Sequence, residues 1–301
     1  MSGLRSSARD LYLYALGAMP PSWALRIQFV RAMGYQPNFR TPQTFSERLQ
    51  VRKLRVPDLE LYGRLADKIA VKAHVAELIG ERYLIPTLWS GPTLPPLGER
   101  GWPIPFVLKA NHGSGLNHFV RSPADLDWAR MEALAAEWLT AAWQPYLHEI
   151  WYDHIPRQLL VEPLVGNGPL NDYKFFVFGG RVHYIQVDSR RFTDHRRTFF
   201  SPSWEPQPFR LRFERDPDEL PRPAHLQEMI EVAERLGAGF DFVRVDLYDL
   251  PDRPLFGEMT FTPGAGCDPF HPPEYDLRLG ELWAAAQASP GVRPRSELVD
   301  A

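Results

Sequence analysis

Two carboxylates interrupt apolar, strand-like runs late in the chain: Asp246 in Arg244-Val245-Asp246-Leu247-Tyr248 and Glu258 in Phe256-Gly257-Glu258-Met259-Thr260. A carboxylate on such a run needs a partner, because burying it bare is costly. If the two runs pair as a hairpin, both acids can point to one face, where a hard cation with oxygen ligands would hold them together; Mg²⁺ is the natural candidate. The plainer alternative is that Arg244 and Lys174 neutralise them as structural ion pairs.

Three further segments carry residue types suited to a nucleotide. Lys109-Ala110-Asn111-His112-Gly113-Ser114-Gly115 sets a lysine at a strand end before a turn, offering charge and backbone N–H groups to phosphate oxygens. Here the lysine precedes the glycines, so the Gly-x-x-x-x-Gly-Lys-Ser/Thr loop is not formed, and a plain hairpin turn is the commoner explanation of such a segment taken alone. Leu159 to Val165, broken by Glu162 and leading into Gly166 to Gly168, could be an inter-lobe hinge whose bare backbone groups read a purine edge. Alternatively, Glu162 is an edge-strand charge. In Asp172-Tyr173-Lys174-Phe175-Phe176-Val177-Phe178, period two puts Asp172 and Lys174 on one face, and Arg190 could face them from the next strand. Cations beside paired carboxylates suit phosphoryl transfer, whereas cross-strand salt bridges on a solvent face are the competing reading.

The elements that must position these residues follow from periodicity. Thr41 to Glu47 reads as a loop and helix start, and Leu61 to Ile79 as one helix ending at Gly80. A proline-rich connection from Gly91 to Pro105 leads into a short strand at Phe106 to Lys109, and Met131 to Ala142 is helical in composition and period. Strands are expected at Gln158 to Val161, Tyr173 to Phe178 and Val182 to Val187, the last two joined by Gly179-Gly180 as a tight hairpin. A helix at Leu226 to Leu236 precedes strands at Phe242 to Leu247 and Leu255 to Phe261, with a turn at Pro251-Asp252. The order is a helical start, a small mixed lobe, then a larger antiparallel sheet with a helix: an α+β chain of several lobes.

Composition limits the function classes. At 301 residues the chain is long for a single core, and clefts between lobes hold small ligands. Lysine plus arginine total 34 against 37 acidic residues, so no general positive field exists to hold nucleic acid. One cysteine, Cys267, excludes an internal disulfide framework and any multi-cysteine zinc site, which fits a reducing cytoplasm. Met1 to Ala18 lacks the apolar run of a signal peptide, and no stretch approaches a membrane span, so a cytoplasmic protein is expected. Leu11 to Met33 could lie on a membrane as an amphipathic pair, although its few basic residues favour helices packed on the main body.

Taken in order, the lysine-bearing helix, the strand-lysine-glycine turn, Val161-Glu162-Pro163-Leu164, Asp172 to Phe178 and Asp246 with Glu258-Met259-Thr260 resemble the ATP-grasp superfamily. The wording of Thr41 to Glu47, Ala66-Asp67-Lys68, Tyr83-Leu84-Ile85-Pro86, Phe106 to Gly115 and Gly257 to Phe261 resembles its TupA-like branch, over about Phe29 to Gly280. That branch is associated with bacterial cell-surface polysaccharide and teichuronopeptide biosynthesis. The resemblance implies an ATP-grasp fold holding ATP between two α+β lobes, with a helical extension over 1–60, a partial N-terminal lobe over 61–98, a small lobe with phosphate loop and hinge over 99–165, and a C-terminal lobe with the metal site over 166–301.

By the same resemblance Lys72 and Lys109 meet ATP phosphates, and Gly113, Ser114 and Gly115 form the loop closing over the triphosphate. Val161 to Leu164 resembles the adenine hinge, with Glu162 and Asp172 as candidates for the amino group and ribose. Asp246 and Glu258 match the carboxylates for Mg²⁺, and Thr260 stands where many of these enzymes have an asparagine ligand. Lys174 and Arg190 occupy positions that hold the transferring phosphoryl group in related amino-acid ligases. The implied chemistry is attack of a carboxylate, free or polysaccharide-linked, on the γ-phosphate to give an acyl phosphate, which an amine then displaces. A glycosyltransferase of surface polysaccharide and a nucleotide-binding module without activity are the alternatives; the paired basic residues and carboxylates suit a triphosphate better.

Overall fold

The computed structural model describes residues 2–140, 144–166, 170–191 and 193–289, and the fold class is α+β, as expected. Of the turn anticipated at 166–168, positions 167 and 168 lie outside the described residues, as does the expected helix end at Ala142. The N-terminal helices are α1 (Ser2–Ala18) and α2 (Pro21–Met33). Pro21 sits at the first helical position of α2, where its missing N–H costs nothing, and Gly34 at φ 81° closes it. Next comes α3 (Phe45–Leu54), opened by a capping box: Thr44 Oγ1 accepts from Glu47 N at 3.2 Å and Glu47 Oε2 accepts from Thr44 N at 3.1 Å.

The single helix expected over 61–79 is two, α4 (Leu59–Ala66) and α5 (Ala70–Ile79). Asp67 makes the break: its backbone is extended, at φ −75° and ψ 116°, and its carboxylate accepts from Ile69 N at 2.8 Å and from Asn111 Nδ2 at 3.0 Å. Aspartate offers the backbone an alternative to the helical ladder, which apolar periodicity does not register.

A four-stranded sheet follows, built from β1 (Trp89–Gly91), β2 (Phe106–Ala110), β3 (Asn117–Val120) and, after α6 (Trp128–Thr140), β4 (Leu159–Pro163), in the order β1-β4-β2-β3. The second sheet comprises β5 (Asp172–Phe178), β6 (Arg181–Ser189), β7 (Arg196–Phe200) and, beyond the short β8 (Arg210–Leu211) and α7 (Leu226–Gly237), β9 (Phe242–Asp249) and β10 (Pro254–Thr260). Its order is β10-β9-β5-β6-β7, all antiparallel. Gly179 and Gly180, at φ 55° and 79°, make the tight turn between β5 and β6 that L-residues resist. The chain ends its described course with β11 (Phe270–His271) and α8 (Glu274–Gln287).

Alternation along β5 and β9 sets what each face does. Tyr173, Phe175, Val177, Val243, Val245 and Leu247 pack into a core with α4, α5 and α7. The opposite face is divided. Its lower half, Phe176, Phe178 and Phe242, lies under Phe45 of α3 and Trp283 of α8. Its upper half carries the buried polar residues Asp172, Lys174, Arg244 and Asp246. A third core joins α6 to one face of the small sheet through Phe106, Leu108, Ala110, Val120, Leu159 and Val161.

Candidate functional site

Because Phe106, Leu108, Leu159 and Val161 face α6, the alternate residues Lys109 and Glu162 must face the other way. They meet there: Lys109 Nζ donates to Glu162 Oε2 at 2.6 Å. Lys72, in the first turn of α5, reaches the other oxygen, Oε1, at 2.5 Å, and also donates to Ile85 O at 2.8 Å and Thr87 Oγ1 at 2.6 Å. Burial works against the Glu162 charge, yet Lys109 and Lys72 hold its carboxyl below the usual range. Lys68, placed in the break between α4 and α5, donates to Gly113 O at 2.5 Å. Burial pushes its ammonium pKa down, opposed by Glu258. Gly113 and Gly115, at φ 73° and 77°, turn the loop between β2 and β3 and leave Ser114 exposed between them.

Across the cleft, Lys174 on β5 is the register partner of Asp246 on β9, and Asp246 in turn is the partner of Glu258 on β10. Lys174 Nζ donates to Asp246 Oδ2 at 2.5 Å, and Arg244 grips Asp246 with Nε to Oδ1 at 2.6 Å and Nη2 to Oδ2 at 2.7 Å. Burial opposes the Asp246 charge, but Arg244 and Lys174 keep its carboxyl below the ordinary range. Tyr248, two residues on, is pushed up to about 12 by burial and Glu258, and stays a neutral phenol.

Arg244 Nη2 tests whether a hard cation fits. This one nitrogen lies 2.7 Å from Asp246 Oδ2, 3.2 Å from Glu258 Oε1 and 2.9 Å from Thr260 Oγ1. Three oxygen donors therefore converge on a single point already held by positive charge, the donor type Mg²⁺ takes. The residues fit such an ion provided the guanidinium yields that point. Among the described residues no cluster of three or more histidine, cysteine or acidic side chains adds further ligands.

Arg190 lies elsewhere. It follows the end of β6 at φ 52° and pairs with Asp218 and, at 3.1 Å, with Asp216. The left-handed turn directs the next residue inward instead: Arg191 pairs with Asp172 and lines the cleft. At Val161 and Leu164, expected as a bare hinge edge, one backbone group of each is already paired within the protein. Val161 O accepts from Leu88 N at 2.8 Å, Leu164 N donates to Pro105 O at 3.0 Å, and the Val161 side chain faces α6. Sequence reasoning passed over Lys68, Arg191 and Arg244 as site residues, although Asp67-Lys68 and Arg244-Val245-Asp246 carried the signal. Two Asp-x-Asp spacings that could suggest a sugar-nucleotide site serve local structure. Asp125 accepts from Ser122 N at 2.8 Å and Asp127 from Arg130 N at 2.9 Å, while Asp216 and Asp218 bind Arg190.

The cleft so formed encloses about 210 Å³ and is lined by Lys68, Lys72, Lys109, Ser114, Gly115, Glu162, Asp172, Lys174, Arg191, Asp246 and Glu258. It is narrow because its cations reach across to its carboxylates. Ser114 and Glu258 also line a second, wider chamber of about 1020 Å³. Its walls include Arg244 and Thr260 on one side and Arg9, Tyr12, Gln28 and Arg31 of the N-terminal helices on the other. Cys267 lies in its floor, where burial pushes the thiol pKa up and keeps it protonated, the state of an inert rather than an attacking sulfur.

A family model described as TupA-like ATPgrasp matches residues 47–284. Solved structures with a similar fold include a D-alanine-D-alanine ligase from Helicobacter pylori, 18% identical, covering 75% of this chain and 61% of that one, with a TM-score of 0.39. An L-amino acid ligase from Bacillus licheniformis is 15% identical, covers 77% of this chain and 53% of that one, and has a TM-score of 0.43. An ADP complex of PurK, an N5-carboxyaminoimidazole ribonucleotide synthetase, is 15% identical, covers 67% of this chain and 46% of that one, and has a TM-score of 0.40. The chain thus spans between 46% and 61% of the length of these three. No curated protein matches the sequence.

Proposed function

The chain belongs to the TupA-like ATP-grasp family, and from that premise we propose that it is an ATP- and Mg²⁺-dependent carboxylate-amine ligase acting through an acyl phosphate. One observation carries this reading: the narrow lysine-rich cleft and the wide chamber meet at Ser114 and Glu258. A triphosphate seated in the first would present its terminal phosphoryl group to a carboxylate held in the second.

In that arrangement Lys72, Lys109 and Lys68 hold the phosphates, exchanging Glu162 and the Gly113 carbonyl for phosphate oxygens. Ser114 and Gly115 offer the loop's exposed edge to the same oxygens. Asp172 faces the ribose. Asp246, Glu258 and Thr260 would hold Mg²⁺, which supplies neutralisation of the phosphate charge when bound. Lys174 and Arg191 face the transferring phosphoryl group, whose charge spreads over its oxygens as the bond to ADP loosens. Arg244, at the boundary between the two compartments, stabilises the oxyanion formed when the amine attacks the acyl phosphate. No protein nucleophile is needed. The chamber is large for a free amino acid, which supports a polymer-linked or polysaccharide-linked carboxylate and a place in cell-surface polymer biosynthesis.

Incubation with ATP, Mg²⁺ and a panel of uronic-acid and amino-acid substrates, with ADP and phosphate measured, tests the proposal. Substrate-dependent release of both products is the expected result. Nucleotide binding with no release under any pairing, or release of a sugar nucleotide's diphosphate instead, would sink it.

A further inference from the structure

Among the described residues, six of the nine large hydrophobic side chains that stand exposed fall within residues 11–35: Leu11, Tyr14, Met19, Trp23, Ile27 and Tyr35. Their placement is ordered. Leu11 and Tyr14 are three apart on α1, Trp23 and Ile27 four apart on α2, and Met19 sits at the corner between the helices, so each helix carries an apolar stripe running into the same turn. The opposite faces are fixed to the body: Leu16, Ala24, Leu25 and Phe29 are buried, and Gln28 Nε2 donates to Tyr146 O at 2.7 Å. Packing on the body therefore does not use up the outward stripes. Trp23 and Tyr14, at 68% and 76% exposure, are the residue types that prefer the boundary between water and lipid.

Charge selects the partner. Residues 1–40 hold five arginines, Arg5, Arg9, Arg26, Arg31 and Arg40, against one acid, Asp10. That is a net of +4 within a chain of net −3, so the remainder carries −7. An anionic surface would attract this corner and repel the rest, which both binds and orients the molecule. Counted over Leu11 to Met33 alone, where only Arg26 and Arg31 lie, the asymmetry is hidden.

We propose that the α1-α2 corner is a peripheral docking element for an anionic lipid surface, inserting Trp23, Met19 and Tyr14 at headgroup depth with arginines at the phosphates. Neither this corner nor its charge belongs to the nucleotide cleft, so the proposal stands independently of the ligase reading. Docked in this way, the wide chamber, walled in part by Tyr12, Gln28 and Arg31 of the same helices, lies beside the lipid surface.

Co-sedimentation of the full chain with phosphatidylglycerol vesicles, with phosphatidylcholine vesicles and without lipid tests it. Wild type should partition to the anionic vesicles at low salt, at least about tenfold better than to the zwitterionic ones, and lose that partition at high salt. Leu11→Ser/Trp23→Ser should lose it by a similar factor, while keeping wild-type ATP affinity by calorimetry; Trp23→Ser alone serves if the double variant does not fold. Absence of partition by wild type, or equal partition by the variants, overturns the proposal. So does lipid-free self-association that the variants abolish, which would make the corner a contact between copies of this chain.

Discussion

Lys174 and Asp246 are direct register partners on β5 and β9, and their side chains meet with Nζ 2.5 Å from Oδ2. Asp246 also accepts two bonds from Arg244, so its removal and the removal of Lys174 are unequal acts. Lys174→Met leaves a bidentate Arg-carboxylate pair. Asp246→Asn takes the nearest carboxylate from two buried cations, leaving Lys174 with Asp172 at 3.6 Å and Arg244 with Glu258 at 3.2 Å, a loss of at most about 3–5 kcal/mol, the range for a broken buried pair. Urea unfolding should rank Asp246→Asn as the more destabilising; equal losses would mean Asp246 is not the hub of the cluster. The depressed Asp246 pKa adds a sign: its contribution is present above the ordinary carboxylate pKa and is lost as pH falls through the lowered one.

Glu258 is the cleaner probe of metal binding. Its side chain is 42% exposed, and its cationic contact is Arg244 at 3.2 Å, so Glu258→Gln should change stability by less than about 0.5 kcal/mol. ADP release should nevertheless fall about 10²–10³-fold if Glu258 holds Mg²⁺ at the transferring phosphate. Wild-type turnover with an unshifted Mg²⁺ dependence would remove Glu258 from the metal site.

Lys109 and Lys72 share the two oxygens of Glu162. Lys109→Ala therefore leaves the carboxylate paired, and the melting temperature should move by only a few degrees. ATP affinity measured by calorimetry should drop about tenfold or more, one charge-assisted contact to phosphate having been lost. Wild-type affinity would place the phosphates elsewhere.

Asp276 of α8 accepts from Ser46 N at 2.8 Å, joining α8 to the first turn of α3, and burial raises its pKa from 3.8 to about 6. A carboxyl raised in the folded state stabilises the fold fully below its unfolded pKa. That stability declines as pH climbs from about 4 through about 6, by at most about 3 kcal/mol for this shift. Asp276→Asn should flatten the slope of unfolding free energy over that window. An unchanged slope would assign the titration to another group.

How much the sequence revealed differs by scale. The strands carrying Asp172, Lys174, Asp246 and Glu258 were legible because period-two alternation against a core is a strong signal, and the fold confirms the elements. The break at Asp67 was hidden, since Leu65 and Ile69 stand four apart, at helical spacing, across it. The inward turn of Arg191 depends on one positive φ at Arg190, and arginine does not announce a left-handed conformation. The chamber was invisible because its walls come from segments more than two hundred residues apart, Arg9 and Thr262 among them.

The exchange of Arg190 for Arg191 yields the prediction that tests mechanism most directly. Both are arginines, both pair with aspartates, and they are adjacent, so composition and local charge are matched between the two substitutions. Only Arg191 lines the cleft, through its pair with buried Asp172, whereas Arg190 pairs with Asp216 and the exposed Asp218. If Arg191 holds oxygens of the phosphoryl group in flight, its interaction strengthens as the bond to ADP loosens and belongs to the transition state. Arg191→Ala should then lower turnover about 10²–10³-fold with a far smaller loss of ATP affinity, while Arg190→Ala stays within about threefold of wild type. Single-turnover ADP formation on both variants, set beside their melting temperatures, separates the cases. A drop shared equally by the two, or a stability loss with normal turnover for Arg191→Ala, would show that the cation at Asp172 is structural and that phosphoryl stabilisation rests on Lys174.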